Sequence, residues 1–423
     1  MKNNELFSIA QVADILGVSK ETLRRWDKNG TLKPTRNDGN NYRMYHRGQL
    51  EEFEQAKLLF SSTWDQEHAV QPRRKYTLVE LFAGAGGLAL GMERAGFKSL
   101  LLNEIDKHAC DTLRFNRPKW NVCQSDISEV DFTKYHGADV VSGGFPCQAF
   151  SYAGKKMGFE DTRGTLFFEF ARSIKEIRPK IFIAENVRGL LNHEGGKTLE
   201  AIKNVIDELG YTLVEPRVLK AIFFRVPQKR ERLFLIGVRN DLAKHFEFKW
   251  PSPYKRILTL KDALKAGDLY ESDVPDSAGQ KYPDKKKRVL DLIPPGGYWR
   301  DLPDTLQREY MQKSYFLGGG KTGMARRLAW DEPSLTLTCA PAQKQTERCH
   351  PDETRPLTVR EYARIQTFPD DWKFSGPLSA QYKQIGNAVP VNLATAVAKS
   401  VVTALNLLET CEQHHNQNEI VAA

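Results

Sequence analysis

Apolar and polar positions recur with different periods along the chain, and each period predicts its own kind of element. Over residues 1–57 the spacing is helical in two short runs. Ser8 and Gln11 form an S-x-x-Q capping box with Phe7 and Val12 as a hydrophobic staple, which predicts a short helix closed by Gly17. Ser19 caps a second helix, with Val18 and Leu23 as its staple and Trp26 on its apolar face. Asn37-Asp38-Gly39-Asn40-Asn41 is a turn signal, and Tyr42-Arg43-Met44-Tyr45 alternates like a strand, so a hairpin is expected beside the helix pair. Residues 58–75 hold Ser61-Ser62-Thr63, Gln66-Glu67-His68 and Gln71-Pro72-Arg73-Arg74, a polar stretch that reads as a linker.

After residue 75, short apolar runs alternate with helical patterns: Leu78-Val79-Glu80-Leu81-Phe82, Leu100-Leu101-Leu102, Asp139-Val140-Val141, Ile181-Phe182-Ile183-Ala184 and Leu233-Phe234-Leu235-Ile236. This is the βαβ rhythm of a doubly wound α/β sheet. From Pro251 to about His350 the rhythm is lost while Pro, Gly, Asp and Lys rise, as in Lys285-Lys286-Lys287-Arg288, Pro294-Pro295-Gly296-Gly297 and Gly318-Gly319-Gly320. Helical patterns return at residues 359–366 and 391–408, with the composition of core. The expected organisation is a small helical unit (1–57), a linker (58–75), the first part of a sheet domain (76–250), a smaller irregular domain (251–350) and a return to the sheet domain (351–423).

The chain has 423 residues, 40% hydrophobic and 27% charged, a globular balance that excludes collagen-like and wholly disordered classes. Lys and Arg number 62 against 53 Asp and Glu, and the net +9 favours a polyanionic partner. Cys110, Cys123, Cys147, Cys339, Cys349 and Cys411 form no CxxC pair, which argues against a zinc ribbon or a disulfide scaffold and fits a reducing cytosol. Cys339, Cys349 and His350 lack a fourth ligand and the usual spacing, so no metal is expected. With no apolar region behind Lys2 and no apolar run approaching about 18 residues, the chain is read as soluble and cytoplasmic, with no membrane partner.

Several short constellations carry chemistry. Phe82-Ala83-Gly84-Ala85-Gly86-Gly87 between a strand and a helix is a Gly-rich turn that lets a ligand approach the backbone; taken alone it is equally a tight turn. Glu104 ends the next strand, where a carboxylate accepts both hydroxyls of a ribose, and Asp126 ends the unit after it, where an adenine amino group would be met. Gly144-Phe145-Pro146-Cys147-Gln148 follows a strand at the rim where open α/β sheets bind ligands, and Glu185-Asn186-Val187 ends another core strand at that rim. In Gln228-Lys229-Arg230-Glu231-Arg232, strand alternation turns Arg230 and Arg232 to one side.

Together with Arg360-Glu361, Arg364-Ile365-Gln366 and Gly386-Asn387-Ala388-Val389-Pro390, these motifs in this order closely resemble the DNA (cytosine-5) methyltransferases of bacterial restriction-modification systems, over residues 76 to about 405. At the N-terminus, Ile9-Ala10-Gln11-Val12-Ala13, Leu16-Gly17-Val18-Ser19, Thr22-Leu23-Arg24-Arg25-Trp26-Asp27 and Arg43-Met44-Tyr45 resemble the winged helix-turn-helix of MerR type. Minimal methyltransferases lack that unit, so its role is not inherited. The combined resemblance implies a Rossmann-like methyltransferase sheet, a target-recognition domain over residues 251–350 and a N-terminal DNA-binding unit.

The resemblance also implies roles. Cys147 as thiolate adds to carbon 6 of cytosine, and a protonated Glu185 meets the charge at nitrogen 3, with Arg232, and less directly Arg230, holding the base. S-adenosylmethionine is the cofactor and S-adenosylhomocysteine the product, held by Phe82, Ala83, Gly84, Gly86, Gly87, Leu88, Glu104, Ile105, Asp126, Ile127, Pro146, Asn387 and Ala388. Double-stranded DNA is the partner, with the target base swung out of the helix. DNA contacts are expected from Gln148, Ser151, Lys155, Lys156 and Arg163 in a closing loop, from Arg326, Arg327, Lys344 and Ser334-Leu335-Thr336-Leu337-Thr338 in the small domain, and from Arg24, Arg25 and Arg43 in the helix-turn-helix. The expected setting is the bacterial cytoplasm and nucleoid, with a companion restriction endonuclease and the gene's own promoter as further partners. An RNA cytosine substrate, or a chiefly regulatory protein, are the rival readings.

Overall fold

The computed structural model describes residues 5–37, 39, 41–146, 165–316 and 322–422, with side chains described as far as residue 413. The N-terminal unit comprises β1 (Leu6–Ser8), α1 (Ile9–Leu16), α2 (Lys20–Asn29), β2 (Thr35–Arg36), β3 (Arg43–His46), α3 (Arg47–Leu50) and α4 (Glu54–Phe60). Its turns follow from the residues that cap them. The Gln11 amide donates to Ser8 Oγ at 3.3 Å while the Ser8 amide donates to Gln11 Oε1 at 2.8 Å, and Gly17 closes α1 with φ 68°. The expected hairpin is the β2–β3 pair, and β1 pairs with the other edge of β3. Sequence pattern missed β1 because three residues are too few for alternation to register.

The segment read as a linker is structured. Beyond α4 it forms α5 (Trp64–Ala69), whose Trp64 is buried in the core of the sheet domain and stacks on His68 with ring centroids 3.7 Å apart. Its polar residues are partners, not solvent: Glu67 accepts from the Ser252 amide at 2.9 Å, and Arg74 pairs with Asp139 and with Glu409. Composition alone does not distinguish a polar spacer from a polar seam between packed parts.

The main sheet uses β4 (Thr77–Leu81), β5 (Lys98–Glu104), β6 (Val122–Gln124), β7 (Val140–Gly143), β8 (Ile181–Val187), β9 (Tyr211–Leu213) and β10 (Arg217–Lys220), and, past the short β11 (Gln228–Lys229), β12 (Glu231–Arg239). Its order is β10-β12-β8-β7-β4-β5-β6, with β9 also on β12. The strands from β8 to β6 are parallel and β12 is antiparallel to β8. From β4 the chain winds outward through β5 and β6, then returns to β7 on the other side of β4. That reversal is the topological switch point at which open α/β sheets bind ligands.

Both faces of the sheet are apolar, as its unbroken hydrophobic runs require. Leu78, Val140, Ile183 and Ile236 pack on one face with α6 (Gly87–Ala95), while Val79, Val141, Phe182 and Leu235 face the other. The helices α7 (Lys107–Asn116), α8 (Leu166–Ile177) and α9 (Lys197–Glu208) complete the flanks. In the irregular region, α10 (Leu260–Leu264) joins the sheet-domain side, and α11 (Asp284–Leu290) and α12 (Asp304–Met311) surround a separate apolar cluster from Tyr282 to Cys349. A short β13 (Ser334–Leu335) pairs in parallel with β11.

The chain then returns through α13 (Val359–Ile365), α14 (Leu378–Asn387) and α15 (Val391–Ala422). Residues Leu378–Gln413 are long and apolar enough to cross a membrane, contrary to the reading from the sequence, but 89% of the most apolar window is buried inside the fold. They form α14 and α15, core helices of the fold. Gly91 on α6 permits its close approach to α15: a Cβ there would lie 2.8 Å from the Ala394 carbonyl carbon. Gly91→Val is expected to destabilise the protein by about 3 kcal/mol through overpacking, read as a lower urea midpoint with an unchanged m-value.

Candidate active site

A cavity of about 640 Å³ opens at the switch point, outside the carboxyl ends of β4, β5, β7 and β8. The Gly-rich turn forms one wall. Phe82 leaves β4 with φ 55°, a left-handed conformation costly for a bulky residue, and the Ala83 amide then donates to the Asn103 carbonyl at 3.0 Å. Gly86, at φ 84°, starts α6; a Cβ there would meet Leu113 at 2.7 Å. At Gly84 an added Cβ would meet nothing within 4 Å, so that side of the turn is open to a ligand.

Two carboxylates stand opposite the turn. Glu104 Oε2 accepts from the Gly84 amide at 2.7 Å, and Oε1 from the amides of Ile105 and Asp106 at 2.9 and 2.8 Å. Asp126 accepts from the Ser128 amide and hydroxyl at 2.9 and 2.7 Å, which holds its carboxyl below the usual range. Buried Asn103 donates to the Ser125 carbonyl at 3.1 Å and so ties β5 to the turn bearing Asp126. Anionic acceptors at successive strand ends, beside an open glycine turn, suit a nucleoside with ribose hydroxyls and an amino group. S-adenosylmethionine, with ribose hydroxyls and an adenine amino group to donate, fits these acceptors.

The other end of the cavity is lined by Gly144, Phe145, Pro146, Glu185, Asn186, Val187 and Arg232. In the β8–β12 register Glu185 lies opposite Phe234 and Val187 opposite Arg232, so Glu185 and Arg232 are diagonal neighbours on one face. Arg232 Nε lies 2.6 Å from Glu185 Oε1. Burial raises the Glu185 pKa, and the opposing pull of Arg232 and Arg230 does not cancel it, so the carboxyl tends toward its protonated form. Gly144 makes room for it, since a Cβ there would approach Glu185 Oε2 to 2.7 Å. Asn186 donates to the Phe145 carbonyl at 2.9 Å and thereby fixes the turn that leads to Cys147.

Of the residues expected to hold the cofactor, the cavity collects Phe82, Ala83, Gly84, Gly87, Leu88, Glu104, Ile105, Asp126, Ile127, Pro146, Asn387 and Ala388; Gly86 shapes the turn from behind. Cys147, Gln148, Ser151, Lys155, Lys156 and Arg163 lie outside the described residues. Arg230 is displaced from the expected role. Its buried guanidinium donates to the carbonyls of Leu337, Gly386 and Asn387, clamping the small domain to the returning segment. Arg327 is likewise not a reader of bases: it is buried and donates to the carbonyls of Ile293, Leu290 and His350 and to Thr354 Oγ1. Lys344 bonds the Tyr310 carbonyl, Arg43 pairs with Asp27 at 2.8 Å, and Thr336 Oγ1 donates to the Lys229 carbonyl, so each has an internal task. Arg326 is half-buried, while Arg24 and Arg25 are exposed.

Glu80 was not singled out from the sequence, though an acid inside an apolar strand is itself the signal. It lines the cavity, is buried, accepts from Ser142 Oγ at 3.2 Å, and burial pushes its pKa up to about 8.

Comparison with known proteins agrees with this geometry. The family model of C-5 cytosine-specific DNA methylases matches residues 76–403, and that of MerR family regulatory proteins matches residues 8–45. The chain is 71% identical over 403 residues to the type II methyltransferase M.Eco47II of Escherichia coli, covering 95% of this chain and 96% of that protein. It is 62% identical to M.PspPI of a Psychrobacter strain, over 95% and 96% of the two chains. Among solved structures, a putative DNA modification methyltransferase from an E. coli prophage aligns with a TM-score of 0.55 at 26% identity, over 78% of this chain and all of that one. The chain belongs to the C-5 cytosine-specific DNA methylase family. It is an enzyme of that class, its partner is DNA, and its N-terminal unit is MerR-like.

The buried Glu80 carboxyl makes a pH prediction. Its folded pKa lies above the unfolded value near 4.3, so its proton stabilises the fold at low pH, and that contribution is lost as pH rises toward about 8. The ligand-free wild type is therefore expected to lose stability relative to Glu80→Gln from about pH 5 to pH 8, by a few kcal/mol in all. Paired urea titrations across that range check it; a constant difference between the two proteins would contradict it.

Proposed function

We propose that this enzyme transfers a methyl group from S-adenosylmethionine to carbon 5 of cytosine in a short duplex sequence, with the base swung into the cavity described above. The observation that carries the reading is one cavity with a nucleoside-accepting end at Glu104 and Asp126 and a base-accepting end at Glu185 and Arg232, the chain running from its wall at Pro146 directly into Cys147. Carbon 5 of cytosine is too electron-poor to attack a methyl donor unaided. The Cys147 thiolate adds to carbon 6, and Glu185 donates its proton to nitrogen 3 as charge builds in the ring. Arg232 stands beside that carboxyl to orient it and the base oxygen. When bound, S-adenosylmethionine supplies the electrophilic methyl. Carbon 5 then carries both the methyl and its original hydrogen; a base removes the proton, the ring double bond re-forms and Cys147 leaves as thiolate.

In the bacterial cytoplasm this mark protects host DNA from a companion endonuclease, as a type II restriction-modification role requires. Bisulfite sequencing of genomic DNA from an expressing host is expected to reveal protected cytosines in one recurring context, absent with Cys147→Ala. Labelled methyl in transfer RNA and none in duplex DNA would support the RNA reading instead. Glu185→Gln is expected to slow single-turnover transfer by about 10²- to 10⁴-fold. In the wild type, transfer is expected to fall as pH rises through the raised Glu185 pKa, whereas the Gln variant loses that descending limb.

The exposed Arg24 and Arg25 on α2 support a second role, binding of the gene's own promoter to limit expression. Arg25→Ala is expected to weaken promoter-fragment binding and raise reporter expression; no change in either would remove this role.

A further inference from the structure

The N-terminal unit does not hang from the enzyme. Asp14 on α1 pairs with Lys229 at 2.7 Å, Lys20 at the start of α2 pairs with Glu332 of the small domain at 2.5 Å, and Phe223 and Ile257 pack into the unit's own apolar core. Gly17, the turn between the two helices, lies so close to the end of β10 that a Cβ on it would come within 2.6 Å of Lys220 Nζ. Two ion pairs and an apolar contact thus hold the unit against the sheet domain and the small domain at once.

Between the unit and the catalytic rim runs a second cavity of about 440 Å³. Its walls are Asp14 and Gly17 on one side and Arg188, Lys220, Lys229 and Glu231 on the other. It shares Val187 and Arg232 with the active-site cavity, so the two open side by side along the end of β8. Its acids are matched: Asp14 by Lys229, and Glu231 by Arg188 at 2.9 Å. Arg232 is paired with Glu185, and Arg230 is spent on carbonyls. Among the described residues Lys220 carries no ion pair, and Arg188 keeps 64% of its side chain exposed despite its partner. The cleft therefore presents surplus positive charge beside the pocket for the extruded base.

We infer that the docked N-terminal unit forms the outer wall of the enzyme's DNA-binding cleft, and that Lys220 and Arg188 within it contact phosphates of the duplex just outside the methylated site. The inference rests on the reading that the Glu185–Arg232 end of the active-site cavity takes the base. Phosphate-directed cations position a duplex without reading its sequence, and each one engaged releases counterions, which makes binding steeper in salt. The helix-turn-helix then serves methylation itself, as part of one continuous surface, in addition to any promoter site.

The test uses the full-length protein and two duplexes carrying the methylated site: one extending a full helical turn beyond it on each side, the other ending at the site. Dissociation constants are measured between about 50 and about 200 mM salt for the wild type, Lys220→Ala and Arg188→Ala. Each substitution is expected to flatten the slope of log Kd against log salt by about 0.9 on the long duplex and to weaken binding severalfold there. On the trimmed duplex the variants are expected to match the wild type in both slope and affinity. Unchanged slopes and affinities on the long duplex would overturn the inference, and so would equal losses on both duplexes, which is what general damage to the fold produces. Methyl transfer to cytosine by the wild type, measured in the same reactions, keeps the two readings apart: its absence sinks the catalytic reading, while its presence with unchanged slopes sinks this inference alone.

Discussion

The reversal of strand order at β4 is the constraint on which the rest of this molecule depends. Because β5 and β6 wind away to one side and β7 and β8 to the other, no crossover covers the carboxyl ends of β4 and β7. The opening receives the Gly-rich turn after β4, Glu104 after β5, the Gly144–Pro146 turn after β7 and Glu185 at the end of β8. Strand β12 runs antiparallel to β8, which brings its first residues, not its last, to the same rim. Arg232 reaches Glu185 for that reason.

Charge at the rim is managed by unequal burial. Glu104 and Asp126 are held by neutral donors and remain ready acceptors, whereas Glu185 is buried, and desolvation outweighs the cation beside it. Two kinds of carboxyl thus occupy opposite ends of one cavity: Asp126, whose pKa its Ser128 donors hold down, and Glu185, whose pKa burial raises. Deeper still, Glu80 pays for its place in the strand by taking up a proton, with Ser142 as its partner.

Holding this site together falls to residues that read as chemical in sequence and act as clamps in the fold. Arg230 joins the Leu337 carbonyl of the small domain to the Gly386 and Asn387 carbonyls of the returning segment, three stretches far apart in the chain. Arg327 does the same inside the small domain, with donors spread over the carbonyls of Leu290, Ile293 and His350. A guanidinium that satisfies several buried carbonyls at once is well suited to such seams, and its loss would leave them unpaired. The N-terminal unit is joined to both domains by ion pairs instead, Asp14 to Lys229 and Lys20 to Glu332.

By itself the sequence determined the family and most of the local elements that its motifs mark. The capping box at Ser8 and Gln11, the glycine after α1, the five apolar strand runs and the ordered motifs are local signals, decided by neighbours a few residues away, and they remain recognisable in the fold. Glu104 and Glu185, at the ends of strands, were legible for the same reason: the end of an apolar run tells where a strand meets the rim. Tertiary structure alone decided which cations face a ligand and which face carbonyls, since Arg230, Arg232 and Arg327 are chemically identical and differ in what the distant chain brings beside them. It also decided that residues 58–75 are a packed seam and that the helix-turn-helix lies against the catalytic rim. Those outcomes depend on contacts between parts of the chain separated by tens to hundreds of residues, and no local pattern of hydrophobic and polar positions encodes them.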